Sequence, residues 1–341
     1  MTQEETPKEE ATPEELTVEE RFLLSPGPHL RSWYSVSRIM YIVALALIFP
    51  TAAGVYFFGF QALWVIIVAI VAAVATEYGV KKLRGRPFIM DGGAVVTGLL
   101  LALILPPTMP LWMVAVGSVL SIAIVKEAFG GLGFNIFNPA LGGRAFLIAA
   151  WLVETTTWVP TRFMPDAVTT ATPLNMSFVW EGDKLSLYRD LFLGNVGGSI
   201  GETSALAILV GGGLLLALGI IEWRIPVTYI GTVALLTLIW PGTTLPILTA
   251  PWEDALFHVL AGGLMLGAFF MATDYVTSPI TYRGKIIFGI GCGVTTVIVR
   301  LLGGMPEGVC FSILLMNALT PIIDRYTMVR PFGLKKVRSE G

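Results

Sequence analysis

The stretch "GGAVVTGLLLALILP", residues 92–106, is an apolar, helix-forming segment that opens on a glycine pair and ends at a proline. A helix needs roughly 20 residues to cross the hydrocarbon core of a bilayer, so this segment is too short to span one alone. Backbone that ends inside a membrane must be covered by protein or must line a cavity. The stretch therefore indicates a membrane fold in which short, interrupted helices lie among longer ones.

The whole chain has the composition of a membrane protein. Of its 341 residues, 55% are hydrophobic and 13% are charged, and its mean hydropathy is +0.75. Soluble domains carry about 25% charged residues. We predict an all-α polytopic protein of about ten spans: 39–59, 61–78, 92–106, 111–126, 137–151, 203–221, 225–240, 256–273, 285–302 and 308–323.

The two halves of the chain resemble each other. "VTGLLLALILP" (96–106) has a counterpart in "AGGLMLGAFFM" (261–271), and "AFGGLGFNIFNPAL" (128–141) has one in "LLGGMPEGVCFSILLMNAL" (301–319). A unit of five spans reverses direction when it repeats. We therefore expect two inverted five-helix repeats with short or re-entrant helices, an architecture like that of urea and ammonium channels. Such repeats commonly place a binding site near the membrane midplane.

The segments outside the repeats differ in charge. The first twenty residues hold eight glutamates and one lysine, too acidic and too poor in apolar residues to fold alone, and they lack the pattern of a signal peptide. We predict an acidic, disordered tail over 1–24, repeats over 25–152 and 203–324, an outer loop over 153–202 and a basic tail over 325–341.

Lysine and arginine in short loops predict the orientation. They follow the even-numbered spans, at 81–86, Lys126, Arg224, 283–285 and 325–338, whereas Arg300 at the end of span nine is an exception. Positive residues favour the cytoplasmic side. Both termini are therefore expected inside, and the loop 153–202 outside.

Several kinds of site are disfavoured. The cysteines, Cys292 and Cys310, are too few for a disulfide framework or an iron–sulfur cluster. The histidines, His29 and His258, form no metal-ligand pattern. No glycine fingerprint follows a predicted strand, so we expect no complete active site, no metal and no nucleic-acid partner.

The outer loop contains a hydroxyl-rich segment, "MPDAVTTATPLNM" (164–176). No histidine or lysine stands beside Thr172 to activate its hydroxyl, so we do not expect catalysis by that residue. The proline after it favours extended backbone, which suits a segment that enters another enzyme and is modified there. A plain hydroxyl-rich turn is the alternative.

A second candidate segment is "GGLGFNIFNP" (130–139). Its glycines allow close approach of backbone to a ligand, and Asn135 and Asn138 offer amide donors and acceptors. The alternative is a break between helices, with the asparagines capping free backbone groups.

Ionisable residues in the spans are candidates for function. Asp274 could coordinate a cation together with Thr277 or Thr273, although such residues are more often structural. Arg144 would face an anionic group or pair with an acid. Lys126 and Glu127, adjacent at the membrane boundary, are expected to satisfy each other.

Six segments resemble the NqrB/RnfD family of membrane subunits from ion-translocating redox complexes. They are "SPGPHLRSWYSVSRIM" (25–40), "GGLGFNIFNPA" (130–140), "DAVTTAT" (166–172), "MLGAFFMATDYVTSP" (265–279), "YRGKIIFG" (282–289) and "GGMPEGVCFSILLMNALTPIID" (303–324). The short chain and the "SPGPH" start favour the RnfD branch, from ferredoxin:NAD oxidoreductase (Rnf) complexes. The NqrB branch, from Na⁺-translocating NADH:quinone reductases, is the alternative.

The resemblance implies cofactors at named residues. Asp166, Thr169, Thr170, Ala171 and Thr172, followed by Pro173, match an acceptor motif for covalent flavin, with Thr170 where glycine is usual. A flavin transferase would join FMN through a phosphoester to Thr172. The resemblance also implies a non-covalent riboflavin, for which Asn135 and Asn138 are the candidate contacts.

The resemblance further implies that the chain carries electrons within a redox-driven Na⁺ or H⁺ pump of the cell inner (cytoplasmic) membrane. Its partners would be a peripheral NADH/FMN subunit, a flavin-bearing G subunit, and iron–sulfur and A/E membrane subunits. From other classes, a small-solute channel would explain the membrane body but not the outer motif. A scaffold without cofactor would tolerate Thr172→Ala.

Overall fold

A computed structural model describes residues 34–163, 174, 180, 183–240, 248–303 and 308–328. Within these ranges every regular element is a helix. The α-helices are α1 (Val36–Ala46), α2 (Ile48–Phe58), α3 (Phe60–Leu83), α4 (Gly93–Leu103), α5 (Leu111–Leu120), α6 (Pro139–Ala150), α7 (Leu152–Thr156), α8 (Lys184–Leu193), α9 (Ala205–Ala217), α10 (Arg224–Ile239), α11 (Pro251–Leu260), α12 (Leu264–Leu266), α13 (Tyr282–Leu302) and α14 (Val309–Thr327). Helix α5 continues as the π-helical segment Ser121–Glu127, and α12 continues as the π-helical segment Gly267–Met271.

Four stretches are long and apolar enough to cross a membrane: Val36–Phe58, Phe60–Leu83, Tyr282–Leu302 and Val309–Thr327. The pair Pro251–Leu260 and Leu264–Met271 becomes a fifth if its 63° bend lies within one span. Helices α4, α6, α9 and α10 are shorter and apolar. The predicted class, an all-helical multi-pass membrane protein, is confirmed, whereas the count of ten spans and their division into repeats remain predictions.

The short apolar segment at 92–106 forms helix α4 (Gly93–Leu103), as its length predicts. Ten of its eleven residues are buried, and a helix that is apolar and buried on all sides belongs to a core. Its last turn is covered by the segment just before α9, because Gly201 N donates to Leu103 O (2.7 Å) and Ile200 N donates to Leu105 O (3.1 Å). These bonds satisfy carbonyl groups that a helix ending inside a membrane would otherwise leave unpaired.

The predicted span 256–273 is not one continuous helix. It is broken at residues 261–263, between α11 and α12. Gly262 has φ +70°, in the left-handed region that favours glycine, and a Cβ on Gly263 would lie 2.4 Å from Glu202 Oε1. The glycine pair therefore breaks the helix where a buried carboxylate approaches the backbone.

The outer loop is only partly loop where the structure describes it. It contains α7 and also α8, whose Leu187 and Leu191 pack with Val196, Phe257 and Ala261 in a small apolar cluster of its own. The hydroxyl-rich motif at 166–173, the acidic tail over 1–24 and residues 329–341 of the basic tail lie outside the described residues.

Candidate functional site

A cavity lies among α1, α4, the start of α6 and the segment after the second π-helix, with about 720 Å³ of empty space that includes open solvent. Its walls are mostly apolar, and its polar lining comes from Thr97, Lys126, Asn135, Asn138, Thr273 and Asp274. A mostly apolar pocket with a few convergent polar groups is the usual form of a small-molecule site. We call it the inter-helix cavity.

The inter-helix cavity brings together residues that the sequence treats separately. Asn135 and Asn138 come from the connection before α6, and Asp274 comes from the connection after the second π-helical segment. Nothing in their spacing predicts this proximity, because they lie in different halves of the chain. The candidate flavin contacts and the candidate ion ligand thus line one cavity.

Asn138 has the geometry of a cap. Its Oδ1 accepts from Ala140 N (3.0 Å) and Leu141 N (3.3 Å), at the first turn of α6. Its Nδ2 donates to Met271 O (3.2 Å), at the end of the second π-helical segment. Asn138 is therefore a helix cap, which is the alternative to a flavin contact. Its amide also forms a hydrogen bond between the two halves of the chain.

Asn135 is less fully bonded. Its Nδ2 donates to Phe137 O at 3.0 Å, two residues away. Its Oδ1 is buried and has no hydrogen-bond partner among the described residues. A buried acceptor left without a partner costs about 1–3 kcal/mol, so a ligand with an N–H group in the inter-helix cavity would relieve that cost.

Lys126 is almost fully buried, and its partner is not the adjacent glutamate. Its Nζ lies 3.0 Å from Glu77 Oε1, which also pairs with Lys81 at 2.8 Å. Glu127 instead lies 3.9 Å from Arg84, whose guanidinium donates to the Glu127 backbone carbonyl. The expectation that Lys126 and Glu127 satisfy each other is wrong. The sequence signal missed was Glu77, the one acid in span two.

Asp274 and Thr277 do meet. Thr277 Oγ1 donates to Asp274 Oδ2 at 3.2 Å, and Val276 N approaches Asp274 Oδ1 at 3.4 Å. Thr273 turns elsewhere, since its hydroxyl donates to Phe269 O at 2.7 Å. Of the two hydroxyls considered beside Asp274, only that of Thr277 lies in its hydrogen-bonding shell.

A second polar cluster lies where α11 ends. Arg144 pairs with Glu202 at 3.4 Å, which agrees with the expectation that Arg144 faces an acid. Arg300 Nη1 donates to His258 O (2.6 Å) and its Nη2 to Ala261 O (3.2 Å). The sequence presented Arg300 only as an exception to the charge rule, whereas it is buried here beside the carboxylate.

The predicted flavin-attachment residues Asp166, Thr169, Thr170, Ala171, Thr172 and Pro173 lie outside the described residues. The next described residue is Leu174, which lines a pocket with Arg144, Glu202 and Arg300. Leu174 also lies against the helix break, because a Cβ on Gly262 would be 2.6 Å from Leu174 Cδ1.

A wider cavity with about 1450 Å³ of empty space adjoins the inter-helix cavity, and it includes open solvent. The two share Ile220, Ile221, Thr273 and Tyr275, and the Tyr275 hydroxyl donates to the Ile220 carbonyl. Its rim carries an ion-paired group, in which Glu222 contacts both Arg224 and Lys285. A single layer of side chains therefore separates the inter-helix cavity from this open one.

Comparison with known proteins gives one family. The sequence profile of the NQR2, RnfD, RnfE family matches residues 23–333. The chain is 51% identical to the D subunit of the proton-translocating ferredoxin:NAD(+) oxidoreductase complex of Clostridium ljungdahlii, over 92% of this chain and 97% of the relative. It is 46% identical to the D subunit of the Na(+)-translocating ferredoxin:NAD(+) oxidoreductase complex of Acetobacterium woodii, over 93% and 97%. It is 41% identical to the D subunit of the ion-translocating oxidoreductase complex of Stutzerimonas stutzeri, over 88% and 92%.

These matches cover the membrane body from end to end, including every residue of the inter-helix cavity. By sequence and by its all-helical membrane architecture, this chain belongs to the NQR2, RnfD, RnfE family.

Proposed function

We propose that this chain is the membrane electron-transfer subunit of an ion-translocating ferredoxin:NAD oxidoreductase complex. The names of the relatives support the complex, since two of them are D subunits of such complexes. The observation that carries the electron-transfer role is the inter-helix cavity, in which Asn135 holds a buried acceptor without a partner among the described residues. The inter-helix cavity is the proposed site of a non-covalent riboflavin.

The residues fit a flavin ring in type and placement. An isoalloxazine presents both an imide N–H donor and carbonyl acceptors. Asn135 Oδ1 is the acceptor available to the donor, and the Lys126 ammonium is the nearby cation that favours negative charge on a reduced ring. The apolar side chains of α1 and α4 supply the surface that excludes water. The chain supplies position and electrostatics, and the flavin, when bound, supplies one- and two-electron chemistry.

The second proposed cofactor is FMN, joined by a flavin transferase to Thr172 through a phosphoester. The motif at Asp166–Thr172 supports this proposal. A tethered flavin cannot dissociate, so Thr172 serves as an anchor and not as a catalyst. The threonine itself takes no part in the electron transfer.

The ten-helix arrangement of two inverted repeats is part of the proposal. One contact supports it, between the asparagines of the two matched motifs. With the Asn317 amide in its hydrogen-bonding orientation, its Oδ1 accepts from Asn138 N at 3.1 Å and its Nδ2 donates to Thr277 O at 3.2 Å. The two matched motifs thus contact each other, as they would if they lay close to an axis relating the repeats.

The proposed orientation places both termini in the cytoplasm and the loop 153–202 outside, within the inner membrane. Electrons would then pass between the outer flavin on Thr172 and the inter-helix cavity. The adjoining open cavity, bordered by Arg224 and Lys285, is on the side where the charge rule puts the cytoplasm.

The proposed partners are the other subunits of the complex: a peripheral NADH/FMN subunit, a flavin-bearing G subunit, and iron–sulfur and A/E membrane subunits. The transported ion is Na⁺ or H⁺. Asp274, held by Thr277 at 3.2 Å, is the proposed ion-responsive group because it also lines the inter-helix cavity.

In-gel fluorescence tests the covalent part of this proposal. The chain is co-expressed with a flavin transferase, denatured on a gel and viewed for flavin fluorescence, beside Thr172→Ala and the control Thr157→Ala. We expect fluorescence in the wild type and in the control, and none in Thr172→Ala. A dark wild-type band, with an active transferase on a control substrate, would reject the covalent flavin and make solute flux the next assay.

A further inference from the structure

We propose that the open cavity that adjoins the inter-helix cavity binds one anionic phospholipid. Its headgroup phosphate lies at Arg224 and Lys285, and its acyl chains lie along the exposed apolar faces of α10 and α13. The proposal concerns a different cavity from the flavin site and does not depend on the proposed cofactors. The ligand class is a phosphodiester that carries two acyl chains.

The size and lining of the open cavity are the first argument. About 790 Å³ of it is wide enough to admit water-sized groups, which falls within the roughly 300–1,000 Å³ typical of small-molecule sites. Its lining combines apolar side chains, among them Ile221 and Ile280, with the charged groups of Glu222, Arg224 and Lys285. A ligand that matches both parts of the lining has an apolar body and a charged group.

The two cations are the second argument. Glu222 forms ion pairs with both Arg224 and Lys285, so one carboxylate joins the start of α10 to the start of α13. The three side chains keep 20% to 27% of their surface exposed, so a ligand can reach the cations. The nearby Asp324 accepts from Ile280 N at 3.0 Å and does not line the cavity. A guanidinium and an ammonium have eight N–H donors, more than the roughly four that one carboxylate accepts.

The position of the open cavity at the membrane boundary is the third argument. The candidate span Tyr282–Leu302 begins at the cavity, and Tyr282 and Trp223 are 65% and 56% exposed. The Arg224 guanidinium lies 4.2 Å from the centroid of the Tyr282 ring and 5.2 Å from that of the Trp223 ring. Tryptophan and tyrosine are enriched at the level of lipid headgroups. The cations are therefore at the depth of headgroup phosphates.

The apolar surface that continues into the spans is the fourth argument. Val227 lies one turn into α10 from Trp223, and Ile286 and Ile290 lie one and two turns into α13 from Tyr282. Residues four apart on a helix share a face, and these three apolar residues are 56%, 38% and 43% exposed. Acyl chains are the part of a phospholipid that covers such a strip. Inorganic phosphate matches the cations but has no counterpart to the strip.

Thermal unfolding of the delipidated full chain in detergent tests the proposal. Anionic dioleoylphosphatidylglycerol and zwitterionic dioleoylphosphatidylcholine are titrated into wild type, Arg224→Gln, Lys285→Gln and the control Arg189→Gln. Arg189 pairs with Asp190 at 3.2 Å on α8 and does not line the open cavity. Each shift is measured from that variant's own melting temperature without lipid, so a loss of basal stability is not counted as a loss of binding.

We expect phosphatidylglycerol to raise the melting temperature of wild type and of Arg189→Gln at a lower mole fraction than phosphatidylcholine. One cation near a membrane surface contributes about a fivefold preference for anionic lipid. Arg224→Gln and Lys285→Gln should therefore each need about fivefold more phosphatidylglycerol for half of the shift. Unchanged half-saturation in both cavity variants would overturn the proposal, and so would equal half-saturation of wild type by the two lipids.

Inorganic phosphate separates a lipid headgroup from a free anion. We expect phosphate alone to leave the melting temperature of the wild-type chain unchanged, because it lacks the acyl chains that cover the apolar strip. Stabilisation by phosphate equal to that by phosphatidylglycerol would contradict the proposal.

The intact complex separates a lipid from a partner subunit as the occupant. The complex is purified, its lipid is extracted, and phosphatidylglycerol is measured by mass spectrometry. We expect less phosphatidylglycerol per complex in the double variant Arg224→Gln/Lys285→Gln than in Arg189→Gln. Equal amounts in the two complexes would show that the open cavity holds no such lipid in the assembled protein, and would reject the site.

Discussion

At the scale of single residues, two asparagines of one motif have different tasks. The sequence places Asn135 and Asn138 in the same glycine-rich segment and leaves open whether they contact a flavin or cap a helix. Asn138 caps α6 and bonds the other half of the chain, whereas Asn135 retains a buried acceptor at the inter-helix cavity. Sequence alone cannot separate them, because the distinction depends on residues more than a hundred positions away.

Asn135→Leu should lower the flavin content of the inter-helix cavity without unfolding the protein. The loss of one hydrogen bond, of about 1.4 kcal/mol, weakens binding about tenfold. Acid-released flavin per chain, measured by chromatography, checks this. Full wild-type content in Asn135→Leu would mean that the flavin is not held there.

Asn138→Ala is the counterpart and should act on stability. It removes an N-cap, worth about 1 kcal/mol, and leaves the Met271 carbonyl without its donor. We expect a lower melting temperature in detergent, in contrast to Asn135→Leu. An unchanged melting temperature would show that the cap is dispensable.

The charges near Lys126 show why a sequence neighbour is a poor guide to a partner. Adjacent residues on a helix do not face each other, so Lys126 and Glu127 find partners on α3 and its loop. Glu77→Gln should destabilise the protein by about 3 kcal/mol, because it leaves Lys126 buried without its acid.

The double variant Glu77→Gln/Lys126→Met should recover most of that loss, as both charges are gone. Asp190→Asn, whose partner Arg189 is 64% exposed, is the control and should change little. The melting temperatures of wild type, Glu77→Gln, Lys126→Met and the double variant test this coupling, and destabilisation of the double variant equal to the sum of the two single variants would refute it.

At the scale of elements, length and glycine content predict the short helix α4 correctly but not the break between α11 and α12. The apolar run 256–273 satisfies a hydropathy criterion throughout. The glycine pair Gly262–Gly263 breaks it, and the approach of Glu202 to Gly263, which leaves no room for a side chain there, is a contact between distant segments that no local pattern contains. The two π-helical segments are likewise invisible to periodicity, since their composition is that of the helices they continue.

Helix α4 depends on a close approach to α3. A Cβ on Gly98 would lie 2.8 Å from Ala69 O and 2.9 Å from Ile70 Cα, and small residues at such contacts let membrane helices pack closely. Gly98→Ala should therefore cost about 1–3 kcal/mol of stability.

Gly79→Ala is the matched control for that change. Gly79 also lies in a helix, with nothing within 4 Å of its Cβ position, so alanine there should be neutral or stabilising by up to about 1 kcal/mol. Thermal unfolding in detergent compares the two. Equal effects of Gly98→Ala and Gly79→Ala on stability would show that the close approach of α3 and α4 at Gly98 does not matter for stability.

At the scale of the whole molecule, the two halves of the chain build one site. Asn138 bonds Met271, and Cys310 Sγ donates to Leu141 O at 3.5 Å, so the connection before α6 is held by the second half. Composition predicts the class of fold. The shared cavity cannot be predicted from composition, because it depends on these contacts between the two halves of the chain. The relatives also show a limit of similarity, since one at 51% identity is named for protons and one at 46% for Na⁺.

The proposed orientation is testable by cysteine labelling. Leu185→Cys on α8 and Tyr326→Cys on α14 replace residues that are 77% and 83% exposed, and the native Cys292 and Cys310 are buried, at 0% and 3%. In intact cells, a membrane-impermeant maleimide should label the cysteine at 185 and spare the one at 326 until the cells are opened. The reverse pattern would invert the orientation.

Flavin release from the purified complex shows whether the inter-helix cavity holds a riboflavin. The Thr172→Ala chain is purified within its complex and denatured with acid. The flavin released into solution is then measured, because any flavin attached covalently to partner subunits stays with the denatured protein. We predict that riboflavin is released in an amount equal to the chain and falls when Asn135→Leu is added. A complex that releases no riboflavin, with the inter-helix cavity residues intact, would contradict the account.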